Sequence, residues 1–181
     1  MAHDRPPEPW HSFFAEIDET LDQPISLSRC IASAVSRLRC GMAFRVDGRR
    51  RLSDCNPVDK TAPLQSLAGE GSARHKKYGV YVQHVGIVIV PENDNDRMTL
   101  MFPTAFRRLL LLGLEAYDLA LSKLERNSAR DREDVKYLAR VAPLDLSVLE
   151  SRYQAELRPY LANTERHDLT MRLWLEMLSG A

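Results

Sequence analysis

LEAYDLALSKLERNSARDREDVKYLAR, residues 114–140, carries two amphipathic patterns joined at one corner. Tyr117, Leu121 and Leu124 recur at helical spacing before Asn127, and Val135, Leu138 and Ala139 do so after it. Two consecutive helices are predicted. Ser128 marks the break: its hydroxyl can accept from a free N–H of the second helix, while Asp131, three residues on, reaches back to the N–H of Ser128. The packing pattern leaves over Lys123, Arg126, Arg130, Asp131 and Asp134, charges of both signs gathered where the chain turns. They read either as an anion site at a helix start or as ion pairs that pin the two helices together.

The run DLALSKLERNSARDREDVKYL, residues 118–138, resembles the C-terminal signature of small bacterial nucleotidyltransferase-like proteins of the polymerase-β superfamily, which also holds the abortive-infection type toxins. PWHSFFAEIDETLDQPISL at 9–27, GEGSARHKKYGVYVQHVGIVIVP at 69–91 and ELRPYLANTERHDLTMRLWLEM at 156–177 resemble the same family. The resemblance implies nucleotide transfer from a nucleoside triphosphate to a hydroxyl of RNA or protein, with Mg²⁺ as the cofactor and a toxin–antitoxin or defence setting. It further implies that Lys123 contacts the triphosphate and that Asp131 or Asp134 orients the nucleotide, or holds Lys123 and Arg126 in place. The departure from the family lies between Ser28 and Cys55, where such proteins hold their catalytic residues.

In that interval the family's Gly-Gly or Gly-Ser turn, whose backbone N–H groups hold phosphate, is replaced by Ala32-Ser33. Ser33 offers a hydroxyl to a nucleotide, but its ordinary place is inside a helix IASAVSRL, where serine is tolerated. By the resemblance, a polymerase-β type active site needs an Asp-x-Asp pair on one strand, since alternate residues share a strand face and two carboxylates there can chelate Mg²⁺. Gly41 to Lys60 has none: Asp47 and Asp54 are separated by Arg49, Arg50 and Arg51. Ser28 to Cys55 contains seven Arg and no Lys. One reading is a segment translated out of its ancestral frame between two compensating indels. Another is an Arg-rich loop for phosphate or RNA, although arginine runs without interleaved aromatics are usually solvated charge.

The chain's 181 residues suit one domain, with a sheet-containing part at 1–113 and a helical part at 114–181. Its 25 basic and 25 acidic residues cancel, so nucleic acid is not indicated as a partner beyond a local patch, while a nucleotide or a protein partner is what the resemblance implies. Cys30, Cys40 and Cys55 are odd in number and lack CxxC spacing, which predicts free thiols and neither a disulfide framework nor a zinc site. MAHDRPPEPW lacks a basic leader, and no run reaches 18 apolar residues. A cytoplasmic, non-membrane protein is expected.

Elsewhere, Trp10, Phe13, Phe14, Ile17 and Leu21 predict a helix after Pro9, ended by Asp22 to Pro24, and Ile25-Ser-Leu27 predicts a short strand. Leu64 and Leu67 suggest a helix closed at Gly69 to Gly71. Tyr81 to Val90 predicts a central strand and PENDNDR at 91–97 a turn; Met98 to Phe106 suggests a short helix, and the leucine-rich run Arg107 to Leu114 fits a further strand or a helix. His84 stands alone there, without a ligand partner. Asp145 and Asn163 are candidate caps for two last helices, the first with the stripe Leu146, Leu149, Tyr153 and Leu157, the second with Leu169, Leu173, Trp174 and Met177. The expected architecture is α/β: a small mixed sheet flanked by helices, with a helical C-terminal layer.

Overall fold

The computed structural model describes residues 5–28, 49–52, 54–56, 60–84, 89–142 and 144–180. The fold is α/β, and the chain divides into two compact units, one of Met1–Ile87 and Met98–Leu114, the other of Val88–Arg97 and Glu115–Ala181.

The first unit begins with α1 (Trp10–Thr20), whose aromatic stripe is fully inside: Trp10 packs edge-on to Phe13 at 5.6 Å and stacks on Phe14 at 5.4 Å. Four strands form a mixed sheet in the order β3-β1-β6-β5, from β1 (Ile25–Ser28), β3 (Asp54–Asn56), β5 (Thr99–Met101) and β6 (Leu109–Gly113). β1 runs parallel to β6 with Ile25 opposite Leu109 and Leu27 opposite Leu111, while β3 and β5 close the two sides antiparallel. The leucine run that could be helix or strand is resolved by its period: Leu109 and Leu111 are buried and Leu110 is exposed, as a two-residue alternation requires. α2 (Thr61–Ala68) adds Leu64 and Ala68 to this core, and α3 (Ala73–Tyr78) follows, capped by Ser72 and closed by Gly79 at φ 71°.

Asp18, near the end of α1, fixes the entry to β6. Its carboxylate accepts from the backbone N–H groups of Arg107 (3.0 Å), Arg108 (2.6 Å) and Leu109 (2.6 Å). Burial pushes this carboxyl upward, and the three N–H groups outweigh it, so the net shift is below the usual carboxylate range.

Three sequence expectations change here. The strand expected at the centre of the sheet, β4 (Tyr81–His84), pairs in parallel with β2 (Arg49–Leu52) in a separate two-stranded ladder, because β6 already has β1 and β5 on its two sides. The arginine run is thus strand over the described part of Ser28–Cys55; Ser33, Asp47 and the rest of 29–48 lie outside the described residues. The short helix expected at 98–106 is displaced: α4 (Asp94–Arg97) occupies the expected turn, and Thr99–Met101 is drawn into β5 by the free side of β6.

In the second unit, α5 (Ala116–Leu121) and α6 (Ala129–Val141) flank the corner at Asn127, as the spacing predicts. α7 (Leu146–Arg152) is capped by Asp145, whose carboxylate accepts from Ser147 N–H at 2.8 Å. Its stripe continues through a wide π turn at Tyr153–Leu157 into a tight 3₁₀ turn at Arg158–Tyr160, because Pro159 has no N–H to extend a regular helix. α8 (Thr164–Ser179) follows the Asn163 cap. These elements bury Leu121, Leu124, Val135, Leu138, Leu149, Tyr153, Leu157, Met171 and Trp174 together.

The stripe expected on α8 is rotated. Leu169 and Leu173 are each 51% exposed, whereas His167, Thr170, Met171 and Trp174 face inward. Apolar burial of Met171 and Trp174 and two polar contacts share this inward face: the Trp174 indole N–H donates to Asn127 Oδ1 at 3.0 Å, and His167 Nε2 meets the Glu125 carboxylate. Among the described residues no helix is long and apolar enough to cross a membrane.

Candidate functional site

The corner between α5 and α6 brings four of the five residues singled out for nucleotide binding together, namely Lys123, Arg126, Asp131 and Asp134; Ser33, the fifth, lies outside the described residues. The capping box is present as the sequence predicts. Ser128 Oγ accepts from Asp131 N–H at 3.2 Å, and Asp131 Oδ2 accepts from Ser128 N–H at 3.0 Å and from its hydroxyl at 2.6 Å.

Asp131 is fully buried and also receives a bidentate clamp from Arg126, Nε to Oδ2 at 2.7 Å and Nη2 to Oδ1 at 2.5 Å. Burial pushes the Asp131 carboxyl up; the Arg126 and Ser128 hydrogen bonds outweigh that and hold it at about 2. Lys123 is only 6% exposed, and its ammonium donates to Asp134 Oδ2 at 3.0 Å, with Asp131 Oδ1 at 3.9 Å. The side chain of Arg126 is 48% exposed, so it is the member of the group that solvent reaches most readily. Two cations and two carboxylates leave the four side chains without net charge.

A second ring of residues holds this corner, and the sequence gives no local signal for it because the partners are more than 40 positions apart. Arg166 Nη2 donates to the Glu125 carbonyl at 2.6 Å, His167 Nε2 meets Glu125 Oε2, and Trp174 anchors Asn127. Asn127 itself adopts φ 42°, a left-handed conformation in which asparagine is enriched. Farther along the same unit, buried Asp118 takes a bidentate clamp from Arg97 at 2.9 and 3.0 Å and a further contact from Arg152 at 3.3 Å. Arg97 also reaches Glu156 at 2.7 Å, and Arg152 reaches Glu115, so this network ties α4, α5, α7 and the π turn.

The carboxylates of this corner do not fit the Mg²⁺ that the resemblance implies. Asp131 and Asp134 already serve Lys123, Arg126 and Ser128, and among the described residues no group of three or more His, Cys, Asp or Glu is placed to hold a metal ion. The chain does contain one Asp-x-Asp spacing, Asp94 and Asp96, which the sequence reading passed over. It falls on α4, where residues two apart point to different sides of the helix, and Asp94 is 1% exposed. The side chain of His84 is outside what the structure describes.

A family model described as "Nucleotidyltransferase of unknown function (DUF6036)" matches residues 74–177, more than half of the chain. No curated protein matches it, and no solved structure does.

Proposed function

This chain belongs to that nucleotidyltransferase family, and from this premise we propose that it is a catalytically degenerate member retaining at most nucleotide binding or a protein-interaction role. One observation carries the reading. The interval expected to hold the paired metal ligands has no Asp-x-Asp, and the one pair with that spacing sits on a helical turn instead of a strand. Without two carboxylates converging on Mg²⁺, the charge that develops on a transferring phosphoryl group has lost its main stabiliser.

What survives at the α5–α6 corner supports binding only weakly. A triphosphate would meet Arg126, half exposed, and would have to compete with Asp131 and Asp134 for the two cations. The ion-pair reading of the corner needs no ligand. A protein partner in a defence or toxin–antitoxin setting rests on the family resemblance alone. The competing reading, an active Mg²⁺-dependent enzyme acting on a hydroxyl of RNA or protein, is favoured by the family description and, among the described residues, by nothing in the donor geometry.

Calorimetric titration with ATP, GTP, CTP and UTP, each with and without Mg²⁺, tests the binding half. Saturable heat that Lys123→Ala abolishes, while that variant keeps its far-UV dichroism and a cooperative melt at the titration temperature, assigns a nucleotide to the corner. No heat and no thermal shift with any of the four retires nucleotide binding and leaves the cluster as architecture.

A further inference from the structure

The corner that carries Lys123 and Arg126 is not shaped by its own helices. α5 has six residues, too few to hold a fixed geometry alone, and the next turns of chain run from Ser122 to Asn127 before α6 begins. We infer that α8 sets the geometry of this corner from outside, and that Asn127 is the positioning residue through which it acts. The inference rests on the reading of the corner as the family's residual nucleotide site.

Four bonds meet at Asn127. Its backbone N–H donates to the Lys123 carbonyl at 3.0 Å, which closes the turn that presents Lys123. Its carbonyl accepts from Arg132 Nη1 at 2.7 Å, which ties the turn to α6, and Arg132 Nη1 also lies 3.5 Å from Oδ1. Its Oδ1 accepts from Trp174 Nε1 at 3.0 Å. Trp174 is 1% exposed and indole nitrogen can only donate, so the amide oxygen has one orientation available. The backbone at φ 42° is a conformation in which that oxygen reaches the indole while the carbonyl faces Arg132.

Two further residues of α8 act on the residue two places earlier. Arg166 donates to the Glu125 carbonyl and side chain at 2.6 and 3.4 Å, and His167 meets the same carboxylate. α8 therefore grips the corner with residues from two separate regions of the helix, at 166–167 and at 174. Lys123 precedes the gripped segment and Arg126 lies within it, so the spacing of the two cations is fixed by a helix that contributes neither of them.

Three variants separate the side chain of Asn127 from its backbone conformation. Asn127→Gly removes the acceptor while keeping positive φ accessible, Asn127→Asp keeps an acceptor in place, and Trp174→Phe keeps one ring and removes the donor together with the five-membered half of the indole. Hydrogen exchange of amides 122–128 and acylation of the Lys123 amine are measured on each, with the amides of α6 beyond Val135 as the internal reference. Asn127→Gly and Trp174→Phe are expected to raise corner exchange and Lys123 labelling roughly 3- to 10-fold, the range one hydrogen bond supports. Asn127→Asp is expected to stay near wild type. Wild-type rates in Asn127→Gly, or equal loosening in Asn127→Asp, overturn the inference. Absence of nucleotide heat in the wild type would sink the functional reading without touching this result, so the two fail separately.

Discussion

Replacing Lys123 by Met removes the ammonium and keeps most of its apolar stem. The partner left behind, Asp134, is 6% exposed, and the lost contact is the 3.0 Å bond to its Oδ2, with Asp131 at 3.9 Å also deprived of a cation. Taking one partner from a buried pair costs about 3–5 kcal/mol, because the remaining charge keeps its desolvation penalty. At about 2–4 °C per kcal/mol for a chain of this size, the lower end of that range corresponds to a Tm drop of roughly 6–12 °C. The comparison that isolates the pair is a double-mutant cycle with Asp134→Leu, read by calorimetry at one pH. Removing both charges leaves no uncompensated ion, so Lys123→Met/Asp134→Leu is expected to recover most of the stability lost in Lys123→Met. A Tm change under about 2 °C in Lys123→Met would refute the reasoning, since exposed ion pairs contribute at that level.

The pKa of Asp131, held at about 2 against the ordinary 3.8, gives a sign for acid: its contribution is fully present above pH 4 and is lost as pH falls through about 2. Far-UV dichroism between pH 5 and 1.5 should show this loss, and Asp131→Asn should flatten it. Asp18→Ala leaves three backbone N–H groups near the start of β6 without their acceptor, at about 1–3 kcal/mol for each buried donor left unsatisfied, so chemical denaturation should show a loss larger than for most single substitutions. On α8, Met171→Ala should cost about 2–5 kcal/mol while Leu169→Ser stays within about 0.5 kcal/mol; the reverse order would mean that the helix faces the other way. If Ser28 to Cys55 was translated out of its ancestral frame, re-reading the coding DNA there in the other two frames should yield a glycine-rich turn followed by Asp-x-Asp. Finding neither would leave the arginine run as a genuine feature of the protein.

Features decided within a few residues could be read in advance. The Ser128–Asp131 capping box, the Asp145 and Asn163 caps, the α1 stripe and the strand at Ile25 depend on local spacing and local hydrogen bonds, and the structure has them as the spacing predicts. Features decided by distant partners were not readable. The inward face of α8 meets Asn127 and Glu125, more than 40 residues before their partners, and an apolar stripe counted along the helix cannot register such contacts. The partner of β4 is β2, part of the arginine run, which composition alone marks as solvated charge. The candidate corner is an intermediate case. Its four charged residues were visible as a cluster, but their pairing into two mutually neutralising sets depends on the turn at Asn127.

If nucleotide transfer was lost along with the paired carboxylates, the protein should carry out none of the family's chemistry. Incubating the protein with each α-labelled nucleoside triphosphate, Mg²⁺ or Mn²⁺, and a mixture of RNA and protein acceptors measures this directly. No transfer of label to any acceptor or to the protein itself is expected. Transfer that proceeds with metal and stops with EDTA would contradict it.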